Sequence, residues 1–157
     1  MKTDFILTKI KDYNPCKDGF QTAVKDSSMK SLCSLFFANS DWALRENFPS
    51  KEVLQKYRGY YEQYGVFYQS NSLLKGLRMA IFDCVSELSF SGFDISEIII
   101  RGNSKITVKA SDYSKLFITV LDDAELIIER EETANVNIFR YGGKVSGDGE
   151  VKECRWD

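Results

Sequence analysis

The sequence predicts an α+β fold in which a mainly helical N-terminal region, residues 1–95, caps a short two-faced β-solenoid over residues 96–157. Three observations predict it. The stretch "SKLFITVLDDAELII", residues 114–128, nearly repeats itself when slid by ten places, and Ser104, Ser114, Ala124 and Ala134 recur at that interval. Two places after each come Ile106, Leu116, Leu126 and Val136, and four places after come Val108, Ile118, Ile128 and Ile138, so each unit supplies one short strand with its even-numbered positions facing in. Both prolines, Pro15 and Pro49, lie before residue 95, and β-branched residues become dense after it.

Taken in order, "NPCKDGFQTAVKD" opens on an Asn-Pro turn signal and leads into a short helix near residues 16–25. "SMKSLCSLFFAN" puts Met29, Leu32, Cys33, Phe36 and Phe37 at spacings of three and four, an amphipathic stripe. A third helix starts at "NSDWALRENF", with Ser40 or Asn39 as cap. "PSKEVLQKYRGYYEQYG" reads as the longest, capped by Ser50, stopped by Gly65 and weakened at Gly59. Residues 66–95 contain β-compatible pieces, "GVFYQ", "RMAIFDC" and "SELSFSGF", of which the middle one suits a helical turn equally well.

Ten residues cannot close a solenoid coil, because a strand of about six leaves only a turn. Units therefore pair into coils of about 20 residues, with Ser104 under Ala124 and Ser114 under Ala134, or else successive strands form an antiparallel meander packed on the helices. Like residues at like phase favour the solenoid, of two to three coils. "SEIIIRGN" joins with two residues fewer through Ser96, Ile98 and Ile100, and a shortened unit follows at Val145. The corners "ASDY", "LDD" and "EREET" are polar, and Asp122-Asp123 turn the chain.

Composition bounds the chemistry. In 157 residues, 43% are hydrophobic and 28% charged, enough for one core. The formal charge is −2, with 12 basic against 11 acidic residues before Ile95 and 9 against 12 from there on, which disfavours nucleic acid as a partner. Without histidine, Ser-His and Cys-His nucleophilic schemes are excluded, and Cys16, Cys33, Cys84 and Cys154 show no zinc spacing. "MKTDFILTKIKDYN" has only a three-residue apolar run, and no stretch approaches a membrane span. The expectation is a cytoplasmic protein with free thiols, no membrane segment, no metal and no cofactor.

Two surfaces stand out. Tyr57, Tyr60, Tyr61 and Tyr64 fall at i, i+3, i+4 and i+7 with Arg58 beside them, a helix face rich in the residue types that dominate binding hot spots. Phe117 and Ile127 occupy outward strand positions although apolar, and call for a cover. Lys105, Lys109 and Lys115 in two units and Glu125, Glu129 and Glu131 in the next segregate charge along the stack.

At "NPCKDGF", "ENFPSKEVLQKYRGYYEQYGVF", "ISEIIIRGNSKITVKA" and "VNIFRYGG", spanning roughly residues 14 to 145, the chain resembles an uncharacterised family of small bacterial and phage-borne proteins. Those have a helical front and a repeated "-[NDG]-[SA]-x-[ILV]-x-[IV]-" tail. The resemblance implies an accessory protein of a mobile element, and brings no catalytic residue. The functional expectation is a non-enzymatic protein-interaction module, in a specific form an inhibitor of a host defence complex, with self-association through an open solenoid end or face. Alternatives are metal or ligand binding at Asp122, Asp123 and Glu125, and single-stranded nucleic-acid binding through the Tyr-Lys-Arg face.

Overall fold

A computed structural model describes residues 1–157 as two compact units, Met1–Tyr64 and Gly65–Asp157. The first unit is helical: α1 Asp4–Asp12, α2 Lys17–Lys25, α3 Met29–Ala38, α4 Ser40–Arg45 and α5 Lys51–Lys56, then a 3₁₀ turn at Glu62–Tyr64. Side chains cap three of these starts. Ser28 Oγ accepts the Ser31 N–H, Ser50 Oγ the Val53 N–H and Cys16 Sγ the Gly19 N–H. The stripe of α3 is buried at Met29, Leu32, Cys33 and Phe36. No helix is long and apolar enough to cross a membrane.

The last helix is shorter than its sequence suggests. It ends at Lys56, Gly59 takes φ +91°, and the Gly59 N–H donates to Glu62 Oε1 at 3.0 Å. A residue at positive φ cannot continue a right-handed helix, so Gly59 is the stop that the periodicity assigned to Gly65.

The second unit is a parallel β-solenoid of about four coils. Ten strands make two sheets: β1 Val66–Tyr68, β2 Arg78–Phe82, β4 Ile95–Arg101, β6 Lys115–Val120, β8 Asn135–Arg140 and β10 Glu150–Glu153 in one, and β3 Val85–Phe90, β5 Lys105–Ala110, β7 Glu125–Arg130 and β9 Lys144–Gly147 in the other. Every pairing is parallel, which rules out the meander. Between β3 and β8 each strand pairs with the one a coil away at an offset of 20, as in Ile98↔Ile118↔Ile138 and Ile106↔Leu126.

Strands thus begin at Val66, upstream of residue 95, and β2 and β3 add a coil to the expected count. β1 is buried at all three positions and β2 at four of five, so neither shows the alternation that marks a one-sided strand. A second correction concerns "SEIIIRGN". β4 keeps the full offset, with Ser96 opposite Leu116, so no residues are missing from that unit. The position equivalent to Ser114 is held by Asp94.

The interior explains the period. Ile98, Ile106, Val108, Leu116, Ile118, Val120, Leu126, Ile128, Val136 and Ile138 are all buried in one cluster, at roughly 1.5–3 kcal/mol of transfer free energy each. The small residue sits where a strand leaves the corner; Ser104, Ser114, Ala124 and Ala134 are fully covered. Where it is serine, its hydroxyl is satisfied by the corner itself, Ser104 Oγ donating to Arg101 O and Ser114 Oγ to Ser111 O, both at 2.8 Å.

The final coil tapers. β8 and β10 pair at an offset of only 13, as in Val151↔Ile138, because the chain cuts across the end of the core through Gly147 and Gly149. A Cβ on Gly147, at φ +93°, would run into the Ile128 carbonyl, and one on Gly149 would lie 2.5 Å from Ile138 Cδ1. The glycine-aspartate stretch is therefore a closure. The outermost strand is four residues long, exposed throughout and charged at Glu150, Lys152 and Glu153, features that discourage a further strand from adding.

Gly147→Ala should cost about 1–3 kcal/mol in urea unfolding monitored at the sheet, since positive φ and the carbonyl clash act together. The four thiols are free. Burial, aided by the charge of Glu62, pushes the Cys33 thiol up to about 12, and burial raises Cys84. At pH 8, Cys16 and Cys154 should react with a thiol-specific disulfide reagent in the native state, and Cys33 and Cys84 only on unfolding. Because the Cys33 pKa is raised on folding, its effect on stability is nil below pH 9.0 and becomes a loss as pH climbs from 9.0 toward about 12.

Candidate interaction surface

The tyrosine face does not exist as a unit. With the helix ended at Lys56, Tyr57 and Tyr61 turn inward and are buried, and their hydroxyls donate to Lys2 O at 3.1 Å and Leu54 O at 2.7 Å. Tyr60 and Arg58 are exposed and Tyr64 is half-buried. Phe117 and Ile127 lie on different sheets. Phe117 is half-buried on the outer side of β6, with Lys115 Nζ 5.4 Å from its ring centroid; Ile127 is 47% exposed, between Thr107 and Ser146.

The acidic corner residues serve the backbone. Asp122 takes φ +58°, and its carboxylate accepts the Gly102 N–H from the coil beneath and two bonds from the buried Arg101 guanidinium, at 2.9 and 3.1 Å. Asp112, at φ +54°, accepts the Gly92 N–H at 2.7 Å. Neither is organised for a cation. Charge segregation along the sequence becomes pairing across the ladder: Lys109 meets Glu87 at 3.1 Å and Glu129 at 3.9 Å, and Lys105 meets Glu125 at 4.0 Å. The hydrogen bond and charge of Glu87, with the charge of Glu129, hold the Lys109 pKa above its ordinary value.

What the corners leave unused is aromatic. Phe93 and Tyr113 occupy the third positions of turns closed by Asp94 N–H to Ser91 O and Ser114 N–H to Ser111 O. The left-handed residues before them, Gly92 and Asp112, point both side chains away from the core. One coil apart, the rings stack at 5.6 Å and 13°, yet are 82% and 64% exposed. Ile95, two residues beyond Phe93, is also exposed, outward on β4 beside Lys115. Around the stack lie Asp94, Asp112, Glu131 and Glu132 and, on the other side, Lys75, bonded to Ser89 O and Asp94. The Ser91 N–H, then the Lys75 charge and hydrogen bond, keep the Asp94 carboxyl below the usual range.

The sequence contained a signal for this pair. Two aromatics 20 residues apart, both inside polar corners, are out of place for turn residues.

No protein-family model matches the chain, and no curated protein or solved structure is similar to it. The resemblance noted in the sequence therefore keeps its structural content, helices followed by a strand repeat, and loses the family assignment. What fold and corner define is a two-sheet parallel β-solenoid with an aromatic stack on one edge.

Asp122→Asn keeps a residue tolerant of positive φ, removes the charge opposite Arg101 and puts an amide N–H donor where one of the two accepting oxygens stood. The Asp122 side chain is half-exposed, so the loss should be about 1–3 kcal/mol in urea unfolding, less than for a fully buried pair. An unchanged midpoint would show that solvent already satisfies Arg101.

Proposed function

We propose that this protein is a non-enzymatic interaction module that holds a protein partner at the Phe93–Tyr113 edge of the solenoid. The supporting observation is the stack itself: two rings, a coil apart, nearly parallel and mostly in water, on a scaffold whose inward-facing aliphatic positions are buried. Exposed apolar surface of this kind costs solubility and gives nothing to the core, and rigid aromatics are the commonest anchors of protein interfaces. The scaffold holds the rings without a partner, so little ordering entropy is lost on binding.

Nucleobases also stack on such rings. Asp94, Asp112, Glu131 and Glu132 at the same corner would repel a phosphate backbone, which favours a protein. The finer reading, an accessory protein of a phage or mobile element that inhibits a host defence complex by direct binding, draws support only from the resembling segments.

The test is capture from a lysate of the cells that carry the gene, with wild type beside Phe93→Ser/Tyr113→Ser. A species retained by wild type and lost with the double variant, at equal thermal stability of the two baits, is the expected result. Identical captured sets would remove this edge from the reading.

A further inference from the structure

The helical unit holds a partly open apolar pocket of about 150 Å³ that no role described above uses. Its floor is made by Ala23, Leu32, Phe36 and Phe48, all buried, and its mouth by Cys16 and Gly19 at the start of α2. No charged side chain lines it. Its polar groups are few: Asn39 Nδ2 donates to Leu35 O at 2.9 Å, Cys16 Sγ accepts the Gly19 N–H at 3.3 Å, and Trp42 brings an indole N–H.

Water against such a wall finds few partners, so a pocket of this size and lining favours an apolar guest the size of one aromatic ring. A void also forfeits the dispersion contacts of its lining, which a guest restores. A charged guest is rejected, because the wall offers nothing to replace its hydration. The entrance is open by sequence: Gly19 has no side chain, and a Cβ there would sit 3.0 Å from Cys16 Sγ, narrowing the mouth.

We propose that this cavity is a binding site for a small, uncharged, apolar molecule of single-ring size, entering past Cys16 and Gly19. The site belongs to the helical unit alone and is independent of the aromatic edge of the solenoid.

The test titrates the full chain with benzene, and with benzoate as the charged control, reading methyl NMR shifts and the thermal midpoint. Benzene should bind saturably at one site, move the Ala23 and Leu32 methyl signals first and raise the midpoint, while benzoate does neither. Ala23→Leu fills the floor and should weaken benzene binding at least tenfold. Should that variant not fold, Cys154→Ser, which leaves Cys16 as the one thiol reactive in the native state, modified at Cys16 with a phenyl disulfide reagent gives the second readout: the tethered ring should shift the same methyls and block benzene. Absence of a saturable benzene response, an equal response to benzoate, or full benzene binding after either change would overturn the proposal.

Discussion

A backbone requirement governs the second unit. At Gly92, Gly102, Asp112 and Asp122, ten residues apart, the chain takes positive φ, between +54° and +70°, and turns from one sheet to the other. Glycine and aspartate tolerate that region where most side chains do not. At the two glycine corners an N–H is left outside the ladder, and the aspartate of the next coil accepts it, Asp112 from Gly92 and Asp122 from Gly102. Turn and cross-link are one device. It fixes the offset at 20, and that offset brings Ile over Ile inside and Lys beside Glu outside.

The interior was legible in the sequence because each buried position repeats one chemical demand. Apolar residues at Ile106, Leu116, Leu126 and Val136, each followed by another two places on, state a two-residue alternation, and the Ser/Ala position marks the covered start of each strand. Legibility failed where the demand is not periodic. β1 and β2 are buried without alternation, so they read as β-compatible without fixing a strand, and β2 suits a helical turn equally well. The tyrosines of residues 57–64 kept helical spacing beyond the point where Gly59 had ended the helix. For Ser96, matching by residue type misled, since Asp94 fills the small-residue place at that corner.

The candidate surface was less legible than the fold for a related reason. A corner position is unconstrained by packing, so its residue carries no periodic signal, and Phe93 and Tyr113 meet only after a coil has been closed. The same closure changed the meaning of the charges. Lysines of one unit and glutamates of another, segregated along the chain, become neighbours and largely cancel. Among the apolar side chains left in water, Phe93 and Tyr113 are the pair that stack, and the proposed interaction rests on them.

The offset of 20 is the claim on which the aromatic stack depends, and backbone nuclear Overhauser contacts measure it directly. Amide-to-α-proton contacts should link residues one coil apart, among them the Ile98–Ile118–Ile138 column, together with ring-to-ring contacts between Phe93 and Tyr113. Backbone contacts joining consecutive strands instead, such as β5 with β6, would contradict the account and dissolve the stack with it.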